Sequence, residues 1–383
     1  MKRHIFLIPG FFGFTNLGDF TYWGPVRDRL QQFLDARGGR SEIHYVKSLP
    51  TASLRTRTRV LLDTIVSVRT APDDCIHLIG HSTGGLDARL LLTPAVDLQT
   101  RKSVDNIAQR VRSSISIATP HRGAPIASFF SSVLGQRLLR LLSLATMVAI
   151  RHGQIPLSAW TRMAGLFALP SSLERASGSL VDQLYDQLLV NFDDTRRSQV
   201  QELLAELERD QSLLMQLTVE SMDLFNAAAG DRHTVRYGSV VTRARAPGLA
   251  SSREIGINPG AQAQLGLYYS LSKLSQGYDF AGIKREHMKA LNMSLGTALD
   301  GADNDGIVPT LSQPWGQCIA AVQADHLDII GHHGQGSDDT IRHYDWLITR
   351  SEFREAQFDE VWGKVANFIV ASETQKPGTD HGL

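Results

Sequence analysis

Short apolar runs alternate with amphipathic stretches through the first third of the chain. His4 to Pro9 is apolar over strand length. Tyr22 to Arg37 then repeats apolar residues at 26, 30, 33 and 34, the spacing of one helix face, with Pro25 near its start and Gly38-Gly39 as its stop. Glu42 to Lys47 predicts a second strand, Ser53 to Val68 a second helix, Cys75 to Ile79 a third strand and Ser113 to Ala118 a fourth. Strands that alternate with helices predict a mainly parallel, doubly wound α/β sheet. Ligand chemistry then belongs at the carboxyl ends of the strands.

The alternation stops near Ile126. From there to Asp231 the pattern is helical, with one apolar stripe at 130, 134, 138, 141, 145 and 148 and another at 200, 203, 204, 207, 214 and 217. Strand patterns return at His233 to Val241 and Gln317 to Val322, and Phe353 to Val370 closes the chain as an amphipathic helix with Phe358, Val361, Val365 and Phe368 inward. The expected organisation is a core made of 1–125 and 232–383, with a helical cap, or lid, inserted at 126–231. Ala246 to Gly282, rich in Gly, Ser and Ala, reads as a long and partly irregular loop region.

Composition narrows the function classes. With 383 residues, 42% hydrophobic and 20% charged, the chain can build a large core without metals or disulfides. Lys plus Arg equals Asp plus Glu at 39 each, which excludes the broad positive field of a nucleic-acid binder. Cys75 and Cys318 read as buried free thiols. Phe129 to Ile150 is the most apolar long stretch, but Arg137 and Arg140 interrupt it, so no transmembrane helix is expected. The apolar segment Ile5 to Ile8 is too short for a signal peptide and breaks at Pro9-Gly10; if Met1 is the native start, a cytoplasmic location follows.

Between the Cys75 strand and the helix-like Leu86 to Leu91 lies Gly80-His81-Ser82-Thr83-Gly84-Gly85. A G-x-S-x-G sequence in a strand-to-helix turn is the setting of a nucleophilic serine, since glycines allow the close approach that a sharp turn needs. Helix N-terminal amides would supply positive potential where charge develops. The plainer alternative is a glycine-rich turn with an ordinary serine. A serine nucleophile needs a histidine to take its proton and a carboxylate to orient that histidine. In Asp303-Asn304-Asp305-Gly306, Asp305 is the first candidate acid and Asp303 the second, although these residue types also make good turns. His326, which follows the Gln317 strand by a short loop, is the favoured base over His332, His333 and His343. For the oxyanion, the amide of Thr83 is one candidate donor. The amide of Phe11, in the loop Pro9 to Phe14, is the other, and Phe11, Phe12 and Phe14 could also wall an acyl chain.

Assembled, these segments resemble the α/β-hydrolase fold of bacterial lipases. The resemblance is carried by Pro9-Gly10-Phe11, Gly80 to Gly85, Thr119-Pro120-His121-Arg122-Gly123, and Asn304 to Val308 followed by Asp325-His326-Leu327-Asp328, with a weaker echo at Leu217 to Asn226. It implies Ser82 as nucleophile, Asp305 as acid, His326 as base, and Phe11 and Thr83 as oxyanion donors. His121 reads as structural. The first loop departs from the lipases' His-Gly by carrying Pro9-Gly10. Some members hold calcium through an aspartate two residues past the histidine, the place of Asp328, whereas His332 replaces the glutamine of such a site.

The expected activity is hydrolysis of carboxylic esters, of acylglycerol or other acyl-chain type, through an acyl-enzyme and with no required cofactor. The expected partner is a small-molecule or lipid ester, with transient lipid-surface contact through the cap. The alternatives are an acyltransferase using the same three residues and a non-catalytic binding protein on a hydrolase scaffold.

Overall fold

The computed structural model describes residues 2–11, 22–152, 155–168, 178–190, 192–277, 283–334 and 346–374. Six parallel strands form one sheet: β1 Lys2–Ile8, β2 Arg40–Tyr45, β3 Cys75–His81, β4 Val111–Ile117, β5 Arg236–Arg243 and β6 Gln317–Gln323, in the order β2-β1-β3-β4-β5-β6. The near-continuous apolar runs of β1 and β3 follow from burial on both faces. Successive side chains of a strand point to opposite faces, so Ile5 and Leu7 pack with Leu30, Leu34 and Trp362 on one face. Phe6 and Ile8 pack with Leu61, Leu62 and Leu91 on the other. Each such fully buried side chain contributes about 1.5–3 kcal/mol, enough to fix which face each residue takes.

Helices Val26–Ala36 and Glu355–Thr374 cover the first face, and Leu54–Ser67 and Gly84–Leu92 the second. Ser53 caps the Leu54 helix by accepting the Thr56 amide at 3.3 Å. The chain steps from β1 to β2 at the sheet edge and then crosses back over β1 to β3, so its direction across the sheet reverses beside β1. The crevice between the carboxyl ends of β1 and β3 is therefore the switch point, where Pro9-Gly10 and Ser82 both emerge.

Between β4 and β5 the described residues form seven helices: Ile126–Phe130, Val133–His152, Leu157–Phe167, Gly178–Leu189, Asp194–Arg209, Ser212–Gln216 and Val219–Ala228. The stripe at 130, 134, 138, 141, 145 and 148 is buried throughout, as are Val200, Leu204, Leu214 and Leu217 of the second stripe. Side chains 203 and 207 lie outside the described residues. Two backbone bonds tie the segment between β4 and β5 to the rest of the chain: the Leu213 amide donates to the Thr51 carbonyl at 3.0 Å, and the Ala124 amide to the Leu217 carbonyl at 2.9 Å.

The region expected to be loop at 246–282 is largely helical, as Leu249–Ile255 and Pro259–Leu274. Asn258 caps the second helix by accepting the Ala261 amide at 3.1 Å, and Pro259 takes the first helical position, where its missing N–H costs nothing. Leu265, Tyr268 and Leu271 bury one face, and the helix packs along Leu157–Phe167. The two cysteines are free thiols, Cys75 buried and Cys318 half-buried. No described helix is long and apolar enough to cross a membrane.

Candidate active site

The turn that ends β3 holds Ser82 at φ 53°, a left-handed conformation that costs a non-glycine residue energy and persists only when the surroundings enforce it. They do so by close approach: a Cβ on Gly80 would lie 2.3 Å from the Gly84 carbonyl carbon, so only glycine lets strand and helix meet here. The Ser82 amide donates to the Ile117 carbonyl at 2.8 Å, tying the turn to β4. The hydroxyl is thereby lifted above the sheet at the head of helix Gly84–Leu92.

His326 lies on the loop after β6 and Asp305 in the turn that follows the Asn304 bridge. His326 Nε2 is 3.0 Å from Ser82 Oγ, and His326 Nδ1 is 2.9 Å from Asp305 Oδ2. All three side chains are buried. The carboxylate is fixed from every side. Its Oδ1 accepts the amides of Ile307 at 3.1 Å and Val308 at 2.7 Å. Its Oδ2 also accepts Thr242 Oγ1 at 2.7 Å and Gln313 Nε2 at 3.3 Å. Because an ionised carboxylate can only accept, the proton of neutral His326 sits on Nδ1 and the Nε2 lone pair faces the serine. The geometry permits one proton transfer, from Ser82 Oγ to His326 Nε2.

Asp303, the second candidate acid, is turned elsewhere: it accepts Arg243 Nε at 2.5 Å and the Asp300 amide at 2.9 Å. His332 donates from Nε2 to the Tyr22 carbonyl at 2.9 Å, so Nε2 carries its proton. His333 packs its ring against Phe353 and Phe358. His343, Phe12, Gly13 and Phe14 lie outside the described residues. His121 stands between Arg89 and Ser116 at 3.2 and 2.9 Å, and Asn226 Nδ2 donates to its carbonyl at 2.8 Å, a packing role that fixes the loop after β4.

Phe11 and Thr83 line the same cavity as Ser82. Buried side chains beyond the sequence candidates tie together the loops that bear these residues. Arg57, paired with Asp87 at 2.7 Å, donates to the Pro9 carbonyl at 2.8 Å and so pins the loop after β1. The Gly10 amide donates to Tyr22 Oη at 3.0 Å, Tyr22 Oη donates to His81 Nδ1 at 2.5 Å, and His81 Nε2 donates to the His326 carbonyl at 2.8 Å. Burial, and then the neighbouring His326 ring, hold the His81 imidazole well below its ordinary range, so it is neutral and its single proton goes to the carbonyl. Burial likewise pushes the Tyr22 hydroxyl up and keeps it a donor. This chain links the loop that carries Phe11 to the loop that carries His326. Close approach matters here too: a Cβ on Gly10 would lie 2.4 Å from Ser82 Cβ.

The rest of the cavity is apolar, formed by Pro120, Ala124, Ile126, Ala127, Phe130, Leu139, Leu214, Leu217, Ile307 and Val308. A wider groove along β6 shares none of these residues.

Asp328, the candidate calcium ligand, is met by hydrogen donors: its Oδ2 accepts the Asp325 amide at 2.8 Å and Ser351 Oγ at 2.6 Å. Burial, and then the charge of Asp325, raise its carboxyl well above the usual range. Calcium asks for about six to eight oxygen ligands. Among the described residues Asp328 joins no group of three convergent metal-binding side chains. No step below passes through the ion.

No protein-family model matches the sequence, and no curated protein matches it. Solved structures do. A metagenomic carboxyl esterase aligns at 14% identity over 96% of this chain and 76% of its own, with a TM-score of 0.50. EstA from Clostridium botulinum aligns at 18% identity over 96% and 87%, also at 0.50. Lipase 1 from Pelosinus fermentans aligns at 17% identity over 98% and 99%, again at 0.50. In fold, this chain is similar to bacterial lipases and carboxyl esterases. The likeness runs through nearly the whole chain, and with the six-stranded parallel sheet it is consistent with an α/β-hydrolase fold.

Proposed function

We propose that this chain is a serine hydrolase of carboxylic esters. The observation that carries the reading is the continuous line from Ser82 Oγ through His326 to Asp305 at the switch point of a parallel sheet. In the reaction, Ser82 Oγ attacks the ester carbonyl while its proton passes to His326 Nε2. Asp305 stabilises the imidazolium that forms. In this reading the amides of Phe11 and Thr83, which line the same cavity as Ser82, meet the tetrahedral oxyanion. Collapse expels the alcohol, which takes the proton from His326. A water then repeats the sequence against the acyl-enzyme, releasing the acid and restoring the serine. No metal or organic cofactor enters these steps.

The wall of Ile126, Phe130, Leu139, Leu214 and Leu217 favours an apolar acyl group over a polar one, because an acyl chain buried there leaves no hydrogen-bonding group unpaired. Residues 126–231 act in this account as the cap that builds the acyl site and touches a lipid surface, with 1–125 and 232–383 as the core. Hydrolysis of p-nitrophenyl esters from short to long chains, by wild type and Ser82→Ala, tests the reading. Wild type is expected to turn them over and the variant to lose at least about 10⁴-fold in kcat; full activity in Ser82→Ala would exclude this site. An added alcohol separates hydrolysis from acyl transfer by its product.

A further inference from the structure

The amino ends of the strands, on the rim opposite Ser82, carry a cluster of ionisable side chains that ester hydrolysis does not use. His4 of β1 lies beside Glu42 of β2 in register, and Glu42 and His44 are two residues apart, so all three side chains share one face of the sheet. His4 Nδ1 is 3.1 Å from His44 Nε2 and 3.8 Å from Glu42 Oε2. The three ligand atoms all fall within 4.8 Å of one another. An ion with four tetrahedral bonds of about 2.0–2.1 Å needs ligand atoms about 3.3 Å apart, close to the spacing already present.

The surroundings set the lone pairs. His4 Nε2 is 3.3 Å from Asp74 Oδ2, and Asp74 is itself held by the amides of Lys2 and Ala71, each at 2.8 Å. Since Asp74 only accepts, the His4 proton is on Nε2 and its Nδ1 lone pair points into the cluster. A carboxylate behind an imidazole in this way orients metal-binding histidines and raises their basicity. His44 is held by stacking on Phe6, with ring centroids 4.8 Å apart. Its proton can move to Nδ1 and free Nε2. Glu42 is 45% exposed at its side chain, which leaves the cluster open to solvent on one side.

We propose that His4 Nδ1, His44 Nε2 and Glu42 Oε2 bind a divalent transition-metal ion, zinc foremost, with water at the fourth, solvent-facing position. Two imidazoles and one carboxylate suit zinc or its borderline neighbours and suit calcium or magnesium poorly. Lys2 Nζ pairs with the same Glu42 oxygen; it is an exposed, flexible cation whose contact is weak enough for the ion to displace. The neighbouring group Cys75, His77 and Glu373 also converges, but Arg3 forks onto both Glu373 oxygens at 2.6 and 3.0 Å, and burial pushes the Cys75 thiol up to about 12. A guanidinium on the carboxylate and a protonated thiol set that group against a cation.

The test is zinc chloride titrated into the tag-free full chain by calorimetry, with equilibrium dialysis for stoichiometry and circular dichroism to check folding. One equivalent is expected. His44→Gln and Glu42→Gln should each weaken it by at least about 10-fold, Asp74→Asn by about 10-fold through His4, and Cys75→Ser not at all. Zinc at saturation should raise Tm by about 2–5 °C in wild type and leave His44→Gln unmoved. Absence of a stoichiometric site, or an equivalent that survives both His44→Gln and Glu42→Gln, overturns the proposal whether or not the hydrolase reading stands.

Discussion

On one side of Ser82, His326 and Asp305 are fixed by directional bonds: two backbone amides, a threonine hydroxyl, a glutamine amide and the Gly10–Tyr22–His81 chain all end on that pair or its loop. On the other side, Ile126, Ala127, Phe130, Leu139, Leu214 and Leu217 offer shape without direction. Directional contacts specify atoms to within tenths of an ångström, whereas an apolar wall specifies only volume. Changes on the first side should therefore cost turnover for every substrate. Changes on the second should redistribute activity among substrates.

The largest departure is expected from Asp305→Asn. With an amide in place of the carboxylate, the His326 tautomer is no longer fixed and the imidazolium loses its counter-charge, so kcat should fall by about 10⁴-fold across all ester lengths. Steady-state kinetics on a short and a long ester check it; a loss confined to one length would break the comparison. Next comes Tyr22→Phe, which leaves the Gly10 amide and His81 Nδ1 without their shared partner. A fall of about 10-fold in kcat with KM held is expected, because the Phe11 donor is displaced from the transition state and not from the ground state. Unchanged kcat would detach this chain from the chemistry.

On the apolar side, Ala127→Leu fills part of the acyl wall. Its kcat/KM for a long-chain ester should fall by about 10-fold relative to a short-chain one. Equal losses at both lengths would show that Ala127 bounds no acyl site. The smallest effect is expected at the opposite rim. Burial pushes the Glu373 carboxyl up, but bonds from His77 and Arg3 outweigh it and bring it down to about 2 from 4.5. A carboxyl with a depressed folded value stabilises the fold above its unfolded value and loses that contribution as pH falls from about 4.5 to 2. Thermal melts across that window should show a shallower acid decline in Glu373→Gln than in wild type.

How much was legible in the sequence differed between the same two sides. The order of strands and helices followed from apolar periodicity, and Ser82 stood out because glycines at fixed offsets from it are a local necessity. Asp305 and His326 were readable only as a carboxylate in a turn and an imidazole on a loop, one of several in each case. Tyr22, His81, Thr242 and Gln313 were not readable at all. Apart from the Gln313 bond to Asp305, eight residues away, their partners lie tens to hundreds of residues off, and nothing in a short window marks a tyrosine or histidine as part of such a chain; the one available signal was His81 lying directly before the serine. The helices at 249–255 and 259–274 were missed for a different reason, since a window rich in Gly, Ser and Ala carries a weak apolar period and reads as loop composition. Asn258-Pro259, a cap followed by a first-turn proline, was the overlooked sign.

The central claim is that Ser82 carries the acyl group, and the direct measurement is covalent capture. Wild type and His326→Ala would be treated with a fluorophosphonate and the labelled peptide identified by mass spectrometry. One adduct per chain on Ser82 is predicted in wild type, with labelling lost in His326→Ala. An adduct on another residue, or none on the folded wild-type chain, would contradict the account.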